Sequence, residues 1–89
     1  MSEVYLYTTR YCPFCIRAKQ LLDHKGVSYR DIPVDNNPAL RSEMTKKAGG
    51  QHTVPQIWVN NHHVGGCTEL MALERAGQLD VLLASNTNN

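Results

Sequence analysis

Apolar and polar residues follow short periods along the first part of the chain, and the pattern predicts a strand and then a helix. The segment Val4–Thr8 is β-branched and aromatic with polar neighbours, which is typical of a buried strand. A helix is predicted to begin at Pro13, a favoured residue at a first helical position, and to end at Gly26. Its apolar residues share one face: Phe14, Ala18, Leu21 and Leu22.

The next apolar run, 27–34, predicts a second strand, and a strand–helix–strand unit of this kind has parallel strands. Asn37 and Pro38 then predict the start of a second helix, which the Gly-Gly pair at 49–50 ends. Apolar residues spaced by four form the buried side of this helix: Leu40, Met44 and Ala48.

The spacing of apolar residues then changes to one that predicts a hairpin followed by helices. Short apolar runs at 57–59 and 62–64 flank the Asn-Asn pair at 60–61, which tolerates positive φ and predicts an antiparallel turn. The Gly-Gly pair at 65–66 ends the second run. Two helices follow, at about 68–75 and at 79–84. The order β-α-β-α-β-β-α, closed by a short last helix, predicts an α/β fold with a four-stranded mixed sheet flanked by helices.

Length and composition narrow the class of protein. Eighty-nine residues are expected to form a single domain at 1–84, with the polar tail 85–89 disordered. Hydrophobic residues at 42% and charged residues at 19% indicate a globular chain rather than a disordered one. The net charge of +1 gives no indication of a nucleic acid or a membrane surface as partner.

The sequence also bears on the compartment. It contains no run near the roughly 18 apolar residues of a membrane span, and its first residues lack the character of a signal peptide. We therefore expect a cytoplasmic protein, in which three cysteines indicate chemistry rather than a disulfide scaffold. We also expect a monomer.

Two of the cysteines form a Cys-Pro-Phe-Cys motif at the predicted junction of the first strand and the first helix. Because Pro13 takes the first helical position, Cys12 lies at or beside the N-cap, facing free backbone N–H groups and the positive end of the helix dipole. These groups stabilise a thiolate, which is the nucleophile in disulfide exchange and also a good leaving group. Cys15, one turn further along, is expected to be more shielded and to attack a mixed disulfide at Cys12, closing a Cys12–Cys15 disulfide.

Two other interpretations of the cysteines stay open at this point. Both could be buried structural residues. Alternatively, Cys67, His62 and His63 could join the pair in a tetrahedral zinc site. The zinc interpretation is weakened because the chain has one C-x-x-C motif, and because Pro13 stiffens the loop.

The chain resembles the glutaredoxins, specifically the small bacterial dithiol class, from Val4 to about Leu83. Three motifs carry the resemblance: Cys-Pro-Phe-Cys at 12–15, Thr-Val-Pro-Gln-Ile at 53–57, and Gly-Gly-Cys-Thr-Glu-Leu at 65–70. The resemblance implies a thioredoxin-like fold, a groove for glutathione, and reduction of protein disulfides and glutathione mixed disulfides. Glutathione, itself kept reduced by an NADPH-dependent reductase, would restore the enzyme, and no metal is expected. The implied protein partners are disulfide-containing or glutathionylated proteins, so that the chain would donate electrons to cytosolic reductases such as ribonucleotide reductase.

The resemblance also implies a docking segment for glutathione. About 5–6% of X–Pro bonds in folded proteins are cis, so the residues alone favour a trans Pro55 that starts a strand. Glutaredoxins hold this proline cis and facing the cysteine pair. Thr53 and Val54 then line the groove, and the free backbone N–H and C=O of Val54 dock the cysteinyl backbone of glutathione as a short added strand.

Further implied contacts lie where the third helix begins. Gly66, Cys67 and Thr68 lead into a helix N-terminus that suits the γ-glutamyl carboxylate of glutathione, with Glu69 near its ammonium group. The same residues equally fit an ordinary strand-to-helix turn with a helix cap.

At the glycyl end of glutathione the chain departs from the family pattern. The family usually has a lysine three residues before the first cysteine, where this chain has Thr9. Arg10 is the nearest substitute, although it also fits a solvated arginine, and Gln51 matches a position that contacts the same carboxylate. Phe14 stands where tyrosine is commoner, so it can shelter the groove without offering a hydroxyl. These departures bear on the affinity for glutathione and not on the class of activity.

The other singled-out residues have simpler interpretations. Cys67 is either a small apolar residue at a helix start or a regulatory thiol. The four histidines are expected to be solvated, and several aromatic residues are expected to be core: Tyr5, Tyr7, Tyr29 and Trp58. Two competing functions are a thioredoxin-type reductant served directly by a flavoenzyme, and a metal-binding module holding zinc or an iron–sulfur cluster bridged between two chains with glutathione.

Overall fold

A computed structural model describes residues 3–84, and the predicted disordered tail lies outside the described residues. The strands are β1 (Val4–Thr8), β2 (Arg30–Pro33), β3 (Gln56–Val59) and β4 (His62–Gly65). The helices are α1 (Pro13–His24), α2 (Pro38–Lys47), α3 (Cys67–Arg75) and α4 (Gln78–Ala84). In the sheet, ordered β2-β1-β3-β4, β1 pairs parallel with β2 and antiparallel with β3, and β3 pairs antiparallel with β4. The mixed sheet and the predicted element order are confirmed.

The central strand β1 is buried on both faces, and its alternate side chains enter two different cores. Val4 and Leu6 pack with residues of α1, α3 and α4, whereas Tyr5 and Tyr7 pack with residues of α2. Trp58 of β3 stacks on Tyr5 with ring centroids 5.3 Å apart. Because successive strand residues point to opposite faces, this one strand holds helices on both sides of the sheet.

The second strand is shorter than the predicted run 27–34 and begins at Arg30. The chain leaves α1 through Gly26, which has φ +71°, and the Val27 N–H donates to the Leu22 carbonyl at 3.0 Å. That hydrogen bond closes the end of the helix, so Val27 cannot pair in the sheet. The remaining boundaries differ from the prediction by a residue or so, with α3 and α4 each starting one residue early.

The hairpin turn has the predicted chemistry. Asn60 and Asn61 have φ of 51° and 68°, which these residues tolerate more readily than most. The Asn60 side chain also accepts from the Glu3 N–H at 2.8 Å and donates to the Leu82 carbonyl at 3.1 Å. The turn is therefore tied to both the start of β1 and α4.

Strand register brings the three motifs together. Tyr7 near the end of β1 pairs with Gln56 at the start of β3, and Ile57 pairs with Gly65 at the end of β4. The segments that follow β1, precede β3 and follow β4 therefore meet at one edge of the sheet.

Candidate active site

Cys12 is the N-cap residue of α1. Its backbone is extended, with φ −119° and ψ 106°, and its sulfur accepts the Cys15 backbone N–H at 3.1 Å. Pro13 occupies the first helical position, where the missing N–H leaves no unpaired donor. The sulfur therefore caps the helix in place of a side-chain oxygen, at the end where negative charge is favoured.

The two cysteines of the motif differ in exposure, and the inner thiol has an altered acidity. Cys12 is 8% exposed, whereas Cys15, further along α1, is 1% exposed. Burial, together with the smaller effect of the hydrogen bond with the Cys12 side chain, raises the pKa of the Cys15 thiol to about 12. Cys15 consequently keeps its proton at neutral pH, and the outer cysteine is the accessible sulfur.

The segment 53–55 lies opposite this cysteine. The Val54–Pro55 peptide bond is cis. The family resemblance implies a cis bond here, whereas the residues alone favour a trans bond. The Cys12 sulfur lies 3.8 Å from the Val54 carbonyl oxygen. Within residues 3–84 the Val54 N–H makes no hydrogen bond, since β3 begins only at Gln56. Within the described part of the chain, Val54 thus carries an unpaired backbone donor and lies next to the Cys12 sulfur.

Gln56 holds this segment through hydrogen bonds to Thr53. Its role was not predicted from the sequence. It is 1% exposed, and its amide nitrogen donates to the Thr53 carbonyl at 3.0 Å and to the Thr53 hydroxyl at 3.3 Å. Its amide oxygen faces the Nε2 of His63 at 2.7 Å, so the imidazole nitrogen is the donor. A polar residue inside the apolar run 54–59 was the available signal, because a buried amide must find hydrogen-bond partners.

His63 is more enclosed than predicted. The other histidines are exposed, as expected, but this ring lies on Trp58 with ring centroids 4.6 Å apart. Burial lowers the pKa of His63 below its ordinary value, and the nearby His62 lowers it further. The side chain is accordingly a neutral hydrogen-bond donor to Gln56 at physiological pH.

The start of α3 forms the other wall of the site. Gly66 is its N-cap residue, and the Gly66 N–H donates to a Glu69 carboxylate oxygen at 2.7 Å. Thr68 is exposed in the first turn, whereas Cys67 is 5% exposed and packs in the core. Burial raises the pKa of the Cys67 thiol. This environment fits the interpretation of Cys67 as a small apolar residue at a helix start.

A groove of about 300 Å³ joins these features. All of its lining residues are among those predicted to bind glutathione: Phe14, Thr53, Val54, Pro55, Gly66, Cys67, Thr68 and Glu69. Two other predicted residues do not line it. Arg10 is exposed, with its backbone N–H donating to the Asp35 carboxylate at 3.0 and 3.1 Å, and Gln51 accepts from Gln56 at 3.4 Å. Their contact with a ligand stays a prediction.

The competing metal site gains no geometric support. Across residues 3–84, no group of three or more histidine, cysteine, aspartate or glutamate residues is arranged to hold a metal ion. In the same part of the chain, none of the helices is both long and apolar enough to cross a bilayer.

Comparison with known proteins agrees with the resemblance that the three sequence motifs carry. A family model described as glutaredoxin matches residues 4–64. The chain is 58% identical over 85 residues to a glutaredoxin of Pseudomonas aeruginosa, with 96% of this chain and 100% of the relative covered. It is 51% identical over 83 residues to glutaredoxin 3 of Escherichia coli K12, with 93% and 99% covered.

Solved structures show the same likeness in three dimensions. A buckwheat glutaredoxin–glutathione complex superposes with a TM-score of 0.84 at 30% identity, covering 92% of this chain and 76% of that one. The solution structure of a glutaredoxin from Brucella melitensis gives a TM-score of 0.80 at 47% identity, covering 91% and 87%. The predicted thioredoxin-like fold is confirmed.

Proposed function

This chain belongs to the glutaredoxin family, and on that premise we propose that it reduces protein disulfides and glutathione mixed disulfides through Cys12 and Cys15, with glutathione as reductant. Membership implies a thiol–disulfide oxidoreductase. The observation that carries the finer proposal is the position of the Cys12 sulfur, which caps α1 and lies 3.8 Å from the Val54 carbonyl beside a groove.

The first step on a protein disulfide is attack by the Cys12 thiolate on one substrate sulfur. A Cys12–substrate disulfide forms, the substrate disulfide breaks, and the other substrate sulfur leaves as a thiolate that takes a proton from water. The Cys15 N–H and the N-terminus of α1 favour negative charge on the attacking sulfur. The same groups make Cys12 a good leaving group later in the cycle.

The second step uses Cys15. Its sulfur attacks the Cys12 sulfur, the Cys12–Cys15 disulfide forms, and the substrate thiol leaves with the proton that Cys15 gives up. The high pKa of Cys15 keeps this thiol protonated until Cys12 has bound a substrate. Two molecules of glutathione then reduce the internal disulfide and become one molecule of glutathione disulfide.

Glutathionylated substrates need only the outer cysteine. Cys12 takes the glutathionyl sulfur and releases the protein thiol, and a second glutathione then attacks the glutathionyl sulfur and frees Cys12 as glutathione disulfide forms. In this route glutathione lies in the groove, with its cysteinyl backbone on the N–H and C=O of Val54. The γ-glutamyl carboxylate points to the start of α3 at Thr68, and Glu69 lies near the ammonium group. The buckwheat relative, whose structure was solved as a complex with glutathione, supports glutathione as the ligand.

The physiological setting is part of the same proposal. The protein would act as a cytoplasmic monomer that passes electrons to disulfide-containing reductases, of which ribonucleotide reductase is one example. Glutathione would be returned to its reduced form by an NADPH-dependent reductase.

The test is a coupled assay with glutathione, its reductase, NADPH and the Cys15→Ser variant. Turnover of a small glutathione mixed disulfide should persist in this variant, whereas reduction of an intramolecular protein disulfide should largely disappear. Gln20→Ser, at an exposed position of the same helix outside the groove lining, is the matched control and should retain both activities. Loss of both activities in Cys15→Ser would contradict the single-cysteine route. Failure of glutathione to reduce the Cys12–Cys15 disulfide would instead favour a thioredoxin-type reductant.

A further inference from the structure

A second hollow continues the groove between α1 and α3. It has a volume of about 170 Å³ and is lined by Phe14, Arg17, Cys67, Thr68, Met71 and Arg75, and we call it the basic trough. Phe14, Cys67 and Thr68 also line the groove, so the two spaces share a wall. The trough therefore begins where the site already described ends.

Two arginines line the basic trough. Arg17 and Arg75 are exposed, and within residues 3–84 neither side chain forms an ion pair or a hydrogen bond. The carboxylates of α3 have partners of their own. Glu69 accepts from the Gly66 N–H at 2.7 Å, and Glu74 forms an ion pair with Lys25 at 2.8 Å. The arginines thus present uncompensated positive charge toward the trough.

The trough also has an apolar component. Phe14 and Arg17 are three residues apart on α1, and Met71 and Arg75 are four residues apart on α3, so each helix offers one apolar and one cationic side chain on the same side. Phe14 is 56% exposed. Such a surface suits a polypeptide with acidic side chains, whose methylene groups can contact the apolar residues, more than a free inorganic anion.

The direction of a bound chain follows from the proposed function, on which this inference rests. With the cysteinyl backbone on Val54, the residue before the target cysteine points to Thr68, as the γ-glutamyl group of glutathione does. Glutathione ends there, whereas a protein substrate continues into the basic trough. We propose that the basic trough binds acidic side chains located shortly before the target cysteine of protein-disulfide substrates, and so selects among protein substrates.

The test measures one covalent step on peptides. Each peptide carries one cysteine as a mixed disulfide with thionitrobenzoate, and Glu, Gln or Lys occupies the positions two and three before it. In a Cys15→Ser background the Cys12 thiolate attacks the peptide sulfur, a Cys12–peptide disulfide forms, and the thionitrobenzoate anion leaves and is followed by its absorbance. The ratio of rates between the Glu and Lys peptides isolates recognition, because any general change in Cys12 reactivity cancels.

At low salt the Glu peptide should react about three- to tenfold faster than the Lys peptide, which is the range expected for a pair of exposed charge contacts. The preference should shrink in high salt because exposed charges are screened. Substitution of both arginines, Arg17→Glu and Arg75→Glu, should invert it. The matched control, Arg30→Glu with Lys46→Glu on β2 and α2, changes the net charge equally and should retain it.

The outcomes separate this inference from the proposed function. An unchanged preference in the trough variant, or an equal loss in the control, overturns the role of the basic trough while leaving the oxidoreductase proposal intact. If Cys12 reacts with none of the peptides and the wild-type protein does not turn over a small glutathione mixed disulfide, both proposals fail. Thermal unfolding of both double variants verifies that these exposed substitutions leave the fold intact.

Discussion

Replacing Gln56 with leucine should loosen the segment that we propose to dock glutathione. The Gln56 amide nitrogen donates to the Thr53 carbonyl at 3.0 Å, and its oxygen accepts from His63 at 2.7 Å. Leucine is close to glutamine in size, so the substitution deletes these hydrogen bonds without leaving a large cavity. The effect then reports the polar contacts rather than packing.

The magnitude follows from the two well-formed hydrogen bonds, each worth about 0.5–1.5 kcal/mol net. Thr53 is exposed and His63 is partly exposed, so water can replace the lost partner and the larger penalty for a buried unsatisfied group does not apply. The apolar side chain recovers part of the loss. We expect the free energy of unfolding to fall by about 1–2 kcal/mol, which lowers Tm by about 4–16 °C for a domain of this size.

The kinetic effect should fall mainly on KM. Val54 follows the residue that Gln56 holds, so a looser segment weakens the hydrogen bonds proposed between Val54 and glutathione. Weakening one such bond by about 1 kcal/mol raises KM for a glutathione mixed disulfide about fivefold. The value of kcat should change less, because Cys12 and Cys15 remain fixed on α1.

Denaturant unfolding and the coupled assay measure both quantities. The control for the free energy of unfolding is Gln51→Ala, since the exposed Gln51 makes one 3.4 Å contact with the same amide. It should change the free energy of unfolding by less than about 0.5 kcal/mol. A Gln56→Leu protein with wild-type stability and wild-type KM would refute the view that this buried amide positions the docking segment.

Three further predictions test individual side chains. Burial lowers the pKa of His63, so the unfolded state binds the extra proton and stability should be fully present above about pH 6.5 and fall below it. Urea unfolding at neutral and mildly acidic pH should show a larger loss for the wild type than for His63→Gln, and equal losses would contradict the assignment. One equivalent of iodoacetamide at neutral pH should label Cys12 and leave Cys15, whose pKa of about 12 keeps it protonated, and peptide mass mapping that found mainly labelled Cys15 would oppose this. Gly65→Ala places a Cβ at φ +113° and 3.1 Å from the Glu69 side chain, and should lower the free energy of unfolding by about 1–3 kcal/mol, measured by thermal unfolding. Gly26→Ala, at φ +71° in open space, should cost only about 1 kcal/mol, so a similar loss at both positions would argue against the contact.

The parts of the fold that depend on local chemistry could be predicted from the sequence. The buried strand β1, the N-cap position of Cys12 and the Asn60–Asn61 turn each depend on residues next to one another in the chain. The second strand was predicted too long because Val27 is apolar and β-branched, which favours a strand. In the structure the Val27 N–H donates to a carbonyl at the end of α1. The side chain does not reveal whether this N–H bonds at the helix end or in the sheet.

The residues that line the groove could be predicted, because the order of elements brings their motifs together. Contacts between side chains on neighbouring strands could not. The groove residues follow from the strand–helix junctions, which the order of elements already brings together. The Gln56–His63 hydrogen bond depends on the register of β3 with β4, which shifts between Ile57 and Trp58. Such a shift has no signature in the sequence, and the pairing therefore emerged only from the structure.

The account depends most directly on docking of glutathione against the Val54 backbone beside Cys12. Hydrogen exchange of the Val54 amide, followed by NMR in the Cys15→Ser variant, tests this before and after glutathione is attached to Cys12. The free amide has no partner within residues 3–84, so exchange should be fast at first and about five- to tenfold slower once the glutathionyl group is in place. An unchanged exchange rate at Val54 in the fully glutathionylated protein would contradict the account.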